Sequence, residues 1–222
     1  EFLRDFPKNE QLVLPERLSK QLLALAGFPV SVPVVAHTAM QAADAAEAFG
    51  YPVALKVESY VIQHKTDVGG VRLGLQDRAA VKEAFLQMDS AMKRLDPSAC
   101  VTVQPMAQSG FEVMLGAARL HDTPLMAAGM GGIYAEAFQD MAFRLAPLQE
   151  GQAERMLQSL RCAPVLNGFR TPPLDRAGVC QLLQRLSELM QAFAQIREVD
   201  LNPCRVYENG CAILDARIVL QL

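Results

Sequence analysis

The sequence has no tryptophan, and aromatic residues make up only 6% of it, which leaves little material for stacking against bases. Its 21 Lys and Arg against 24 Asp and Glu give a net charge of −3, and no basic cluster stands out. A nucleic-acid partner is therefore not expected. No apolar run approaches the roughly 20 residues that span a bilayer, so no membrane partner is expected either. The opening residues lack a basic segment followed by an apolar core, which argues against a signal peptide; Glu1-Phe2 reads as a cloning scar or a cut between domains. The cysteines are odd in number, at Cys100, Cys162, Cys180, Cys204 and Cys211, and none forms a C-x-x-C pair. They read as reduced, buried or incidental thiols. Together these absences lead to the expectation of a cytoplasmic protein.

What is present is a chain of 222 residues, 51% apolar, with the apolar residues spread evenly. That is enough to bury a core, as one large domain or two small lobes. Leu14-Pro15-Glu16-Arg17-Leu18 opens a helix that runs through Leu25 and is stopped by Gly27, and Val30–Val35 reads as a short extended piece. Thr38 is placed to cap a helix over Met40–Phe49, closed by Gly50. Val53–Glu58 and Val71–Leu75 read as strands. Arg78–Arg94 reads as an amphipathic helix with Val81, Phe85, Met88 and Met92 on one stripe. Val101–Gln104 and Glu112–Ala117 read as strands flanking a turn at Gly110. Leu125–Ala128 leads into Gly129-Met130-Gly131-Gly132, expected to be a flexible turn. Helices are expected over Glu150–Ser159 and Asp175–Gln195. Two last strands, Arg197–Val206 and Cys211–Leu220, are joined by Glu208-Asn209-Gly210, a strong hairpin signal. Strands are often consecutive, which favours α+β lobes over a regularly alternating α/β sheet.

The densest chemistry lies at Val53-Ala-Leu-Lys56-Val57 and His64-Lys65-Thr66-Asp67-Val68-Gly69-Gly70-Val71. Side chains alternate along a strand, so Lys56 stands on the opposite face from Val53, Leu55 and Val57. A lysine in a buried strand needs an anionic partner. That partner is Glu58, a residue of the adjoining helix, or a ligand phosphate. Gly69-Gly70 is either a plain turn or a place where the backbone approaches a ligand closely and offers it N–H groups. Lys65 and His64 beside it tip the reading toward phosphate. His64 is either a solvated loop residue or a phosphoryl acceptor, since imidazole is a competent nucleophile near neutral pH. His37 and His121 fall in loops and read as solvated.

A second cluster lies on the final hairpin. Asp200 and Asn202 share one strand face, and Asp215 sits in an otherwise apolar strand. A two-residue Asn209-Gly210 turn would pair Glu208 with Cys211, Cys204 with Asp215 and Asn202 with Arg217. Asn202 and Asp215 would then be diagonal neighbours on one face, about 7–8 Å apart at Cα. Two oxygen-bearing side chains so placed can converge on Mg²⁺, which keeps waters and phosphate as its other ligands. The bland alternative pairs Asp215 with Arg217 or Arg205.

Several motifs in order carry a resemblance: Gly50-Tyr-Pro-Val-Ala-Leu-Lys56, His64-Lys-Thr-Asp-Val-Gly-Gly-Val71, Val103-Gln-Pro-Met106, Glu112-Val-Met-Leu-Gly116, Gly129-Met-Gly-Gly-Ile133, Asp140-Met-Ala-Phe-Arg-Leu-Ala-Pro147, Val199-Asp-Leu-Asn-Pro203 and Leu214-Asp-Ala-Arg217. From about Leu14 to Leu220 the chain resembles the ATP-grasp domain of the NDP-forming acyl-CoA synthetases, which include ADP-forming acetyl-CoA synthetase and the succinyl-CoA synthetase β subunit. The resemblance implies two α+β lobes with a nucleotide cleft between them: a small lobe over about 38–106, and a larger one from 14–37 plus 107–222. It implies that Lys56 and Lys65 meet the nucleotide phosphates and that Gly69 and Gly70 belong to a flexible loop over them. The backbone around Val103, Gln104 and Met106 would read the adenine edge. Glu112 would lie in the nucleotide cleft, with Arg144 as an anion contact, and Asn202 and Asp215 would hold Mg²⁺. His64 would be a phosphoryl carrier.

The implied reaction is acyl-CoA + ADP + Pi ⇌ acid + CoA + ATP. CoA would be bound by a partner subunit or fused domain, because nothing in this chain resembles a CoA-binding Rossmann domain. Two other readings are a regulatory, non-catalytic ATP-grasp module of a protein lysine acetyltransferase and a stand-alone ATP-grasp carboxylate–amine ligase.

Overall fold

Every pairing between named strands of the computed structural model is antiparallel, and an isolated parallel bridge joins Val30 and Ile213. The structure describes residues 11–62, 65–132 and 139–221. The chain runs β1 (Gln11–Leu14), α1 (Glu16–Leu25), β2 (Val34–Ala36), α2 (Ala39–Phe49), β3 (Val53–Glu58), β4 (Val71–Leu75), α3 (Arg78–Met92) and β5 (Cys100–Pro105). It continues through β6 (Phe111–Leu120), β7 (Thr123–Met130), β8 (Met141–Leu145), α4 (Gln152–Gln158), α5 (Ala163–Leu166), α6 (Arg176–Ala192), β9 (Ile196–Val206), β10 (Cys211–Ile213) and β11 (Arg217–Gln221). Among the described residues no helix is long and apolar enough to cross a membrane.

Two units divide the chain. The smaller comprises Pro15–Gln21 and Ser31–Gln108. Its sheet has the order β2-β5-β3-β4. Its helices begin and end at local signals. The Thr38 hydroxyl accepts from the Gln41 N–H at the start of α2, and Gly50 closes that helix at φ +81°. Asp77 accepts from the Ala80 N–H at the start of α3. Val81, Ala84, Phe85, Met88 and Met92 are the buried stripe of α3. Val81, Ala84, Phe85 and Met88 pack with Ala42, Ala43 and Ala46 of α2 on Val53, Leu55, Val101 and Val103 of the sheet, and Met92 packs with Val57, Ile62 and Ala99. Residues 15–21 and 31–37, expected with the larger lobe, group with this unit. The reason is physical: Glu16, Arg17 and Lys20 bond to groups of this unit, and β2 pairs with β5.

The larger unit comprises Glu1–Leu14, Leu22–Val30 and Ser109–Leu222. Its sheet has the order β1-β11-β9-β6-β7-β8, with β10 also on β9. Val179, Leu182, Leu183, Leu186 and Met190 form the buried side of α6. Gly129 and Met130, expected in a flexible turn, are the last residues of β7 and pair with Met114 and Val113. A Cβ on Gly129 would fall 2.2 Å from the Met141 sulfur, so the glycine serves strand packing.

The final hairpin departs from the expected register. Val206 pairs with Cys211 and Cys204 with Ile213, so the connection is the four residues Tyr207–Gly210 and not a two-residue turn. Asp175 fixes that loop: its N–H donates to the Tyr207 carbonyl at 2.7 Å, and its Oδ2 accepts from the Gly210 N–H at 3.0 Å. The expected single last strand is also broken, and Asp215 lies in the break between β10 and β11. At this point the Leu214 N–H donates to the Pro203 carbonyl at 3.0 Å, and proline has no N–H to return. Beyond the break Arg217 pairs with Asp200, where Asn202 was expected. The pairing is in step on both sides of the interruption.

Candidate functional site

In the smaller unit the first turn of α1 brings a carboxylate to β3. Glu16 Oε1 accepts from the Lys56 ammonium at 2.7 Å and from Lys20 at 2.9 Å, and Oε2 accepts from Lys65 at 3.1 Å. Of the partners open to Lys56 in the sequence, the adjoining helix supplies the one seen here. Glu58 is engaged by Arg17 at 3.0 Å. Burial pushes the Glu16 carboxyl up, but Lys56, Lys20 and Lys65 outweigh it and hold the group at about 2. Lys20 also donates to Gln104 Oε1 at 3.0 Å.

The sequence reading passed over Glu16 and Lys20. The signal was present: Glu16, Ser19, Lys20 and Leu23 occupy the i, i+3, i+4, i+7 positions of one helical face, and all four are buried. Two charged residues thus sit where an amphipathic helix normally places apolar ones.

The turn after Lys65 is closed on itself. Gly70 donates to the Lys65 carbonyl at 2.7 Å, and Gly69 to that of Thr66 at 3.1 Å. Both amides are engaged inside the turn in this conformation. Gly69 has φ +71°, and a Cβ on Gly70 would come within 2.5 Å of Val57 Cγ1. The glycines therefore let the turn press onto β3. On β5, Val103 is fully buried, and Gln104 is mostly so. The Met106 N–H donates to the Pro52 carbonyl at 3.1 Å, so a base read by Met106 would use its carbonyl. His64, the expected phosphoryl carrier, lies outside the described residues.

In the larger unit Glu112 faces Arg205 across β6 and β9 and pairs with it at 2.9–3.0 Å. The Gly131 N–H donates to the Glu112 carbonyl at 2.9 Å, and a Cβ on Gly132 would fall 2.1 Å from the Glu112 carboxylate. Asn202 Oδ1 accepts from the Gly132 N–H at 3.4 Å. The glycine segment, Glu112 and Asn202 are therefore neighbours. Arg144 is exposed on β8, its guanidinium donating to the Phe143 carbonyl at 2.7 Å.

Asp215 Oδ1 accepts from the Ala216 N–H at 2.8 Å. Asp200, which shares the strand face of Asn202, has a buried Oδ1 with no hydrogen-bond partner. Burial and the charges of Glu198 and Asp215 push its carboxyl up to about 6, against the pull of Arg217. Asn202, Asp215 and Asp200 are an all-oxygen donor set with one orphaned buried oxygen, which suits a hard cation such as Mg²⁺. Among the described residues no three His, Cys, Asp or Glu side chains gather as a fully protein-ligated metal would require. Magnesium, which retains water and substrate phosphate ligands, does not need such a set.

With this geometry in place, known proteins provide a comparison. The family description "ATP-grasp domain" matches residues 5–220. The chain is 36% identical over 221 residues to 4-hydroxybutyrate–CoA ligase [ADP-forming] of Nitrosopumilus maritimus, covering 96% of this chain and 32% of the ligase. This chain thus spans about a third of that protein's length. It is 32% identical over 218 residues to acetate–CoA ligase [ADP-forming] I subunit beta of Pyrococcus furiosus, covering 96% of this chain and 93% of the subunit. Among solved structures it superposes with a TM-score of 0.87 on a dinucleotide-forming acetyl-coenzyme A synthetase 1 of Ca. Korarchaeum cryptofilum in complex with coenzyme A, Ca-AMPCP and HgCl+. That match is 33% identical and covers 94% of this chain and 93% of the other.

Proposed function

From the premise that this chain belongs to the ATP-grasp domain family, we propose that it is the nucleotide-binding, phosphoryl-transferring part of an ADP-forming acyl-CoA synthetase. A CoA-binding subunit or fused domain would complete the reaction acyl-CoA + ADP + Pi ⇌ acid + CoA + ATP. The observation that carries this reading is the convergence of Lys56 and Lys65 on one buried carboxylate. It gives two ammonium groups a fixed place on the smaller unit, as the handling of phosphate oxygens requires.

In this reading Lys56 and Lys65 bind the phosphates of ADP, and Gly69 and Gly70 keep the turn that carries Lys65 pressed onto β3. The backbone of Val103, Gln104 and Met106 reads the adenine edge. Glu112 and Arg144 belong to the nucleotide-binding surface. Asn202 and Asp215 hold Mg²⁺, which when bound neutralises phosphate charge. The His64 imidazole takes a phosphoryl group from the partner and gives it up to an ADP oxygen, which restores the neutral ring. The relatives named above are a ligase and a ligase subunit, which favours catalysis over the regulatory acetyltransferase module.

Calorimetric titration of this chain with ADP and ATP, with and without Mg²⁺, tests the reading. Saturable binding that tightens with Mg²⁺ is the expected result. Failure of both nucleotides to bind would overturn it.

A further inference from the structure

The α1 face that carries Glu16 and Lys20 was silent in the sequence reading, yet it is the most heavily charged buried cluster described here. Side-chain exposure rises in steps through it: Lys20 1%, Glu16 5%, Lys56 12% and Lys65 18%. Lys20 is therefore enclosed, while Lys56 and Lys65 retain exposed surface. The carboxylate divides its two oxygens in the same sense. Oε1 takes Lys20 and Lys56, and Oε2 takes Lys65. A structural ion pair needs one cation for one carboxylate. Here one carboxylate sets the spacing of ammonium groups from three segments: α1, β3 and the turn that follows His64. Lysine side chains are flexible and lose considerable rotamer freedom when fixed, so an internal template lowers the cost of presenting two of them together.

We propose that Glu16 is the positioning residue for the phosphate-binding lysines. Its carboxylate holds the Lys56 and Lys65 ammonium groups at a set spacing for a polyphosphate. Lys20, from behind, fastens that carboxylate to Gln104 of β5. Glu16 does not touch the nucleotide; it acts through the two lysines. This rests on the reading that Lys56 and Lys65 contact the phosphates of ADP.

The test compares the whole chain with Glu16→Gln and Glu16→Asp by calorimetry, using ADP and adenosine as paired probes, with Lys56→Ala alongside. Loss of one charge-assisted anchor predicts roughly tenfold weaker ADP binding in Glu16→Gln. Adenosine affinity should stay within about twofold, because adenosine has no phosphate to sense the lysines. Glu16→Asp keeps the charge but shortens its reach, and should lose less ADP affinity than Glu16→Gln. A role in folding alone would lower the melting temperature while leaving ADP affinity intact, or would weaken both probes together; either result overturns the proposal. If Glu16→Gln does not fold, Glu16→Asp decides: wild-type ADP affinity, or an equal loss for adenosine, overturns it. If Lys56→Ala weakens ADP binding and the Glu16 variants do not, only the positioning role falls. If the wild type fails to bind ADP, the proposed function falls first and the positioning role with it.

Discussion

In the smaller unit three lysine ammonium groups share one buried carboxylate, which they hold at about 2. In the larger unit burial and the charges of Glu198 and Asp215 push the Asp200 carboxyl up to about 6, and its buried oxygen is left without a hydrogen bond. One region has gathered cations around an anion that organises them. The other has gathered oxygen atoms and left one of them unsatisfied. The contrast teaches that a charged site can be completed in two ways. In the proposed function, a cationic site for phosphate would be set up by the protein's own counter-ion, because flexible lysines must be fixed before the ligand arrives. An oxygen site for a metal would be left short of partners, because the ion itself would be the missing partner.

The largest effect is expected at His64. His64→Asn should abolish phosphoryl exchange between the partner and ADP while ADP affinity stays unchanged; retained turnover in a partner-coupled assay would remove its carrier role. Next comes the cationic side. Lys56→Ala should weaken ADP binding by roughly 10- to 100-fold, measured by calorimetry, with a smaller loss for adenosine. On the oxygen side, Asp215→Asn should raise the Mg²⁺ concentration needed for half-maximal tightening of ADP binding by about tenfold. An unchanged Mg²⁺ dependence would break the contrast at its metal end.

A separate effect, read on another scale, is one of stability. The Glu16 carboxyl drops from its ordinary 4.5 to about 2 on folding. Its contribution is therefore complete above pH 4.5 and is lost as pH falls toward 2. The difference is worth up to about 3 kcal/mol. Denaturation midpoints of the wild type should fall across that acid window, and those of Glu16→Gln should fall less steeply.

What could be read from the sequence was local. The Thr38 cap, the Gly50 stop, the bounds of β3 and β4 and the buried stripe of α3 all stand as expected. Each is set by neighbours within a few residues. Leu14, expected to open the first helix, ends β1, a strand that only its pairing with β11 defines. The hairpin register was displaced by two residues, since Asn209-Gly210 advertises a tight turn while Asp175 holds a wider loop from outside the hairpin. An even displacement keeps each side chain on its face. Glu16 and Lys20 were missed for the opposite reason. An acidic and a basic residue four apart look like a surface pair, and only β3 and the Lys65 turn bury them.

Asp175 has one further consequence. Its two carboxylate oxygens are divided between the Gly178 N–H at the start of α6 and the Gly210 N–H in the hairpin loop. A Cβ at position 178 would intrude to 2.4 Å from Oδ2. A single methyl group added there, on a helix that supplies no ligand, would dislodge the clasp that sets how β9 and β10 align. If Asn202 and Asp215 hold the metal as proposed, that role is open to damage by inheritance at a glycine outside the ligand set.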